Sequence, residues 1–150
     1  MKKLIVLTIL VSVIISCKSQ QKETSDNEGL PFTIIDKGSH SGKEEASELL
    51  ITNYNDLKAL YEELNLQDVP QVNFNANNVA ALFMGQQRNG GYSITVKKVV
   101  YAGNDTATAV IMADTTKPEK GEMVTMALTS PYCIALIPKT EKADFQYSKK

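Results

Sequence analysis

Tryptophan is absent, histidine occurs once and cysteine twice. These shortages exclude several chemistries. One histidine, His40, and one cysteine in an apolar stretch, Cys133, cannot assemble the four nitrogen and sulfur ligands of a structural zinc site. Asn104, Asp105 and Asp114 are too sparse for a calcium-binding loop. No P-loop or dinucleotide-binding fingerprint is present, so no cofactor is expected. An excess of positive charge is also missing: 16 basic residues stand against 17 acidic ones. Taking away Lys2 and Lys3 leaves 14 − 17 = −3 for the remainder. A balance of that sign argues against a nucleic-acid-binding surface, which needs a basic patch.

Beyond the first sixteen residues there is no apolar run long enough to span a bilayer, which takes about 20 residues. What those first residues contain is specific. Lys2 and Lys3 precede an apolar run from Leu4 to Ile15, and Ile14-Ile15-Ser16-Cys17 places a small residue directly before a cysteine. Residues 1–16 are therefore expected to be a secretory signal peptide ending in a bacterial lipobox, with Cys17 as the lipidated residue. The bland alternative is an ordinary cleaved signal peptide with Cys17 incidental. A single acyl chain holds a protein to a membrane only reversibly, whereas two or more hold it stably. A multiply acylated Cys17 would keep the chain on a membrane of the cell envelope, with the domain outside the cytoplasm. Residues 18–29 carry no apolar side chain and cannot offset their ordering entropy by burial, so they read as a flexible tether. With Cys17 taken by lipid, Cys133 has no disulfide partner and is expected to be a buried, inert thiol.

Folded structure is expected from residue 30 to residue 140, followed by a polar tail at 141–150. Phe32 to Asp36 and Glu48 to Thr52 read as short strands. Leu57, Leu60, Tyr61 and Leu64 fall on one stripe of a helix over Asn53 to Leu66, with Asn53 or Asn55 as its cap and Pro70 beyond its end. Val79 to Met84 is continuously apolar and suits a central strand. Ile94 and Val96 alternate with polar residues, but Val99 and Tyr101 continue in the opposite phase. That slip predicts a bulge near Lys97-Lys98. Thr106 to Ala113, Met123 to Leu128 and Tyr132 to Ile137 complete the strands, with loops at Gly103 to Asp105 and Thr115 to Gly121. The expected class is α+β, predominantly antiparallel sheet with one packed helix, arranged as a sandwich or partly closed barrel.

One stretch suggests an interaction site. Gly85-Gln86-Gln87-Arg88-Asn89-Gly90-Gly91-Tyr92 joins two strands. It either presents Arg88, Asn89, Gly90, Gly91 and Tyr92 to a partner, or is a connection whose glycines satisfy turn geometry alone. A catalytic reading is weaker. Gly38-Ser39-His40-Ser41-Gly42 is similar to a nucleophile elbow only on the surface, because His40 stands where the serine should be. A triad built on His40 with Ser39 or Ser41 would need a distant aspartate.

Residues 38–138 resemble the PrcB C-terminal domain family in the order and spacing of their motifs. The carriers are the apolar strand Val79 to Met84, then Gly85, then Asn89-Gly90-Gly91-Tyr92-Ser93-Ile94, and later Thr129-Ser130-Pro131-Tyr132. Upstream, His40-Ser41-Gly42, Asp56 to Tyr61 and Val72-Asn73-Phe74 are similar to the longer members. One departure stands out: Arg88-Asn89 replaces the Pro-Thr that usually precedes the glycines. The resemblance implies a non-catalytic accessory or stabilising subunit of an extracytoplasmic protease complex, whose partner is an envelope protease or another envelope protein. A protease inhibitor presenting the Arg88–Tyr92 loop and a structural envelope lipoprotein without a protease partner are the alternatives.

Overall fold

A computed structural model describes residues 29–149. The expected signal peptide, Cys17 and the expected tether up to residue 28 lie outside the described residues. Seven strands and one helix follow in the order β1 (Thr33–Gly38), β2 (Ala46–Ile51), α1 (Tyr54–Glu63), β3 (Asn77–Met84), β4 (Ser93–Ala102), β5 (Asp105–Thr116), β6 (Tyr132–Pro138) and β7 (Lys142–Lys149). They form a four-stranded sheet in the order β1-β6-β3-β2 and a three-stranded sheet in the order β4-β5-β7. Neither sheet closes into a barrel, so the sandwich is the arrangement adopted.

The layering explains why β3 and β6 read as unbroken apolar runs. Alternate residues of a strand face opposite sides of its sheet. Ala80, Leu82, Cys133, Ala135 and Ile137 face the second sheet, where they meet Ile94, Val96, Val99, Ala109, Ile111 and Ala113. Val79, Ala81, Phe83, Tyr132 and Ile134 face the other way, onto Leu57, Leu60, Tyr61 and Leu64 of the helical segment. The central strands are thus covered on both faces. Cys133 lies fully buried between the sheets, and burial raises its thiol pKa, which suppresses the reactive thiolate.

Helix α1 begins where its cap chemistry dictates. Asn53 is extended, and its side chain accepts a hydrogen bond from the Asp56 amide at 2.9 Å. Leu64 closes the helix, and Asn65 turns to a φ of 53°. The last turn is therefore shorter than the sequence suggested. Asn53→Ala is expected to cost about 1 kcal/mol, read from the urea midpoint, because it leaves an amide of the first turn without a partner. Asn55→Ala should leave the midpoint within about 0.5 kcal/mol of the parent.

The bulge falls where the phase slip placed it. The β4–β5 register shifts between Val96 and Lys98, which returns Val99 to the core opposite Ile111. Two expectations are corrected. Residues 141–150, expected as a polar tail, form β7 through Lys149, which pairs parallel with β5 from Thr108↔Lys142 to Thr115↔Lys149. Ala143 and Phe145 pack against the inter-sheet core, so burial draws this stretch into the second sheet and makes that sheet mixed. Met123 to Leu128, expected as a strand, belongs to neither sheet.

A titratable cluster sits between the helix and its sheet. The Tyr132 hydroxyl donates to Asp36 Oδ1 at 3.2 Å, and both Tyr61 and Tyr132 are buried. Burial first, and then the neighbouring Asp36 carboxylate, push each phenol up to about 12. In the unfolded chain a tyrosine titrates near about 10. The folded state therefore holds these protons more tightly. The associated stability is fully present below pH 10 and is lost as the pH rises towards 12. Urea midpoints measured across this range should fall in the parent protein and fall less in Tyr61→Phe and Tyr132→Phe.

Candidate functional site

The loop after β3 is set by steric demands at its glycines. Gly85 has a φ of 70°, and a Cβ there would lie 2.7 Å from Ala46 N and 2.8 Å from Glu44 O. The chain can leave β3 only because that Cβ is missing. The Gln86 amide then donates to Glu44 O at 2.9 Å, and the Gln87 side chain donates to Met84 O at 3.0 Å.

Beyond this point the two motif stretches meet. Gln87 and Thr129 exchange backbone hydrogen bonds at 2.7 and 3.0 Å. The Thr129 hydroxyl donates to Asn89 O at 2.9 Å. The Gly90 amide donates to Thr125 O at 2.9 Å, and a Cβ on Gly90 would stand 2.5 Å from Thr125 Oγ1. Gly91 has a φ of 84°, and its missing Cβ would meet Pro118 at 2.9 Å and Val124 at 3.0 Å. Both glycines therefore let residues 118–129 pack directly on the loop.

A third segment joins from the other side. The Ser41 amide donates to Ser130 O at 2.9 Å, the Ser130 amide to Ser39 O at 2.7 Å, and the Gly42 amide to Ser130 Oγ at 2.9 Å. Segments 38–42, 85–92 and 118–130, far apart in sequence, are thus bound into one loop platform. Backbone hydrogen bonds brace it where no disulfide does.

The structure divides the five candidate residues. Arg88 is exposed, Asn89 and Tyr92 are half-buried, Gly90 is buried and Gly91 is exposed. Arg88, Asn89 and Tyr92 leave side-chain surface open to solvent, whereas the glycines hold the platform together. Asn89 contributes its backbone carbonyl to Thr129, so this bond does not depend on its amide side chain. The Ser39 hydroxyl and His40 Nδ1 lie 2.8 Å apart in an exposed turn, and the Ser41 hydroxyl accepts from the Lys43 amide at 3.3 Å. Both serines are engaged within their own turn. Among the described residues no group of three or more His, Cys, Asp or Glu side chains is placed to hold a metal ion.

The platform also displays residues that the sequence reading assigned to a strand. Met123 is 98% exposed and Met126 87%, with Leu128 exposed beside them. Large apolar side chains in open solvent are a feature of interaction surfaces. Methionine is well suited to such a role because its flexible thioether adapts to irregular partners. The signal was present in the sequence. Met123-Val124-Thr125-Met126-Ala127-Leu128 breaks the strict alternation of a half-buried strand.

Residues 79–138 match the family model described as PrcB C-terminal. The matched span runs from β3 to the end of β6 and contains two of the platform's three segments. No curated protein and no solved structure matches the chain.

Proposed function

We propose, from the match of residues 79–138 to the PrcB C-terminal family, that this protein is a non-catalytic accessory subunit of an extracytoplasmic protease complex, held to an envelope membrane by lipid on Cys17. The family match is the observation that carries the reading, since the family takes its name from a protease complex subunit. The platform supports it: Arg88, Met123, Met126 and Leu128 are exposed on a braced surface, a combination suited to protein contact. On this reading the domain binds and stabilises its partner and performs no chemistry.

The test is affinity purification of the full chain from gently solubilised envelopes, followed by mass spectrometry. A protease enriched over an unrelated lipoprotein control, and lost from a Met123→Ser/Met126→Ser variant, is the expected result. A preparation free of protease would overturn the reading. Adding the purified domain to the captured enzyme separates a stabiliser, which prolongs activity, from an inhibitor, which lowers it. The anchor has its own test. Cys17→Ser should move the protein from the membrane fraction to the soluble fraction and abolish the mass added by acylation.

A further inference from the structure

The sulfur atoms of the described residues differ sharply in their access to solvent. Met84 ends β3 and packs against the inter-sheet core. Met112 lies on β5 and is 40% exposed. Cys133 is fully buried. Met123 and Met126 stand almost wholly in solvent.

That pair is held out by what its neighbours do. Val124 packs on Gly91, where the missing Cβ makes room for it. The Thr125 carbonyl accepts from the Gly90 amide, and its hydroxyl occupies the space a Gly90 Cβ would fill. Further along, Thr129 exchanges backbone bonds with Gln87. The segment is thus pinned at 124–125 and again at 129, and Met123 and Met126 flank the first of these points. None of these pinning contacts uses a methionine side chain. The two thioethers are therefore open to chemistry that need not disturb the packing beneath them.

A thioether exposed to solvent is open to attack on a peroxide. The sulfur lone pair takes one peroxide oxygen, the O–O bond breaks and an S–O bond forms. Sulfur gives up two electrons, the peroxide is reduced, and its other oxygen takes up the proton and leaves as water. The product, methionine sulfoxide, is polar and chiral where the thioether was apolar.

We propose that Met123 and Met126 are a reversible oxidation site, at which a peroxide turns the apolar surface of the loop platform polar while the fold stays intact. A methionine sulfoxide reductase supplied with a dithiol reverses the step: the sulfoxide oxygen leaves as water and the dithiol becomes a disulfide. Residues 123 and 126 lie on the surface assigned above to protein contact, so the effect on a partner rests on that reading. The modification itself does not.

Dilute hydrogen peroxide added to the intact folded protein, followed by peptide mass mapping over time, tests it. Met123 and Met126 should each gain one oxygen at least about tenfold faster than Met84, with Met112 between, and within about threefold of their rates in the same chain unfolded in urea. Protein oxidised at both positions should keep the parent's circular dichroism and urea midpoint. Reductase and dithiol should restore the original mass. Met123→Leu/Met126→Leu, which keeps the surface apolar, should abolish the fast phase. Oxidation of Met84 or Met112 as fast as the pair, a lower midpoint after oxidation, a sulfoxide that the reductase does not repair, or a fast phase that survives in the leucine variant would each overturn the proposal. No step of this test uses a partner, so it can fail while the protease reading stands, and the reverse. Against a captured protease, the oxidised protein should bind at least about tenfold more weakly than the reduced one, and equal binding would overturn the switch.

Discussion

Alanine at Gly85 is expected to destabilise the protein by about 2–5 kcal/mol, as left-handed backbone costs a non-glycine residue about 1–2 kcal/mol and crowding of a packed site about 1–3 more. Both contributions apply here. The φ is 70°, and the new Cβ would lie within 2.8 Å of the backbone of Glu44, Glu45 and Ala46, which cannot rotate away as a flexible side chain could. Relief requires β2 to move off β3, which would strain the register from Ala46↔Met84 onward. Gly103 provides an internal control. Its φ is 59°, but a Cβ there meets nothing within 4 Å. Gly103→Ala should therefore cost only the backbone component, about 1–2 kcal/mol. Urea unfolding of the two variants, compared at constant m-value, isolates the crowding component. Equal midpoints would show that the start of β2 yields freely.

Truncating Phe83 to alanine should cost about 3–5 kcal/mol, the range for removing a large aromatic side chain from a core. Phe83 is 2% exposed and lies between the helix and the sheet. Its ring stacks on Tyr132 with centroids 6.3 Å apart and planes 21° apart, and Lys43 Nζ sits 5.1 Å from its centroid. These contacts differ in weight. Lys43→Met removes the cation and its ion pair with Glu63 but keeps the alkyl stem, and should cost about 1 kcal/mol. Phe83→Leu keeps most of the apolar volume and should fall between the two. If Lys43→Met proved as damaging as Phe83→Ala, charge rather than packing would dominate this part of the core.

Much of the fold was legible because it rests on periodicity. The stripe of Leu57, Leu60, Tyr61 and Leu64 is buried as its spacing required, Asn53 is the cap, and the change of phase after Val96 marks a real bulge. The runs in β3 and β6 carried more information than their length alone, for a strand apolar on both faces needs cover on both. The failures have physical causes. Ala143, Phe145 and Tyr147 do alternate with polar residues, but they join β5 in the second sheet, away from the preceding β6, in a parallel pairing that no local signal announces. Met123, Met126 and Leu128 are apolar without being buried, and composition cannot tell which apolar side chains a fold will leave in solvent. At the platform, the importance of Gly85, Gly90 and Gly91 was visible. That Gly90 and Gly91 serve the packing of residues 118–125 depends on contacts between distant segments.

The position of β6 has a consequence for how this chain must mature. β6 lies between β1 and β3, and Thr33 at the start of the domain pairs with Leu136 near its end. Delivered from its N-terminus, whether from a ribosome or through a translocation pore, the domain emits β1, β2 and β3 long before the strand that unites them. Until Tyr132 to Pro138 emerges, β1 has no neighbour in its sheet and β3 shows an open edge. Such non-local pairing is slow, and waiting edges invite aggregation. The four-stranded sheet is thus assembled late, when its central strand arrives, and not strand by strand as the chain appears.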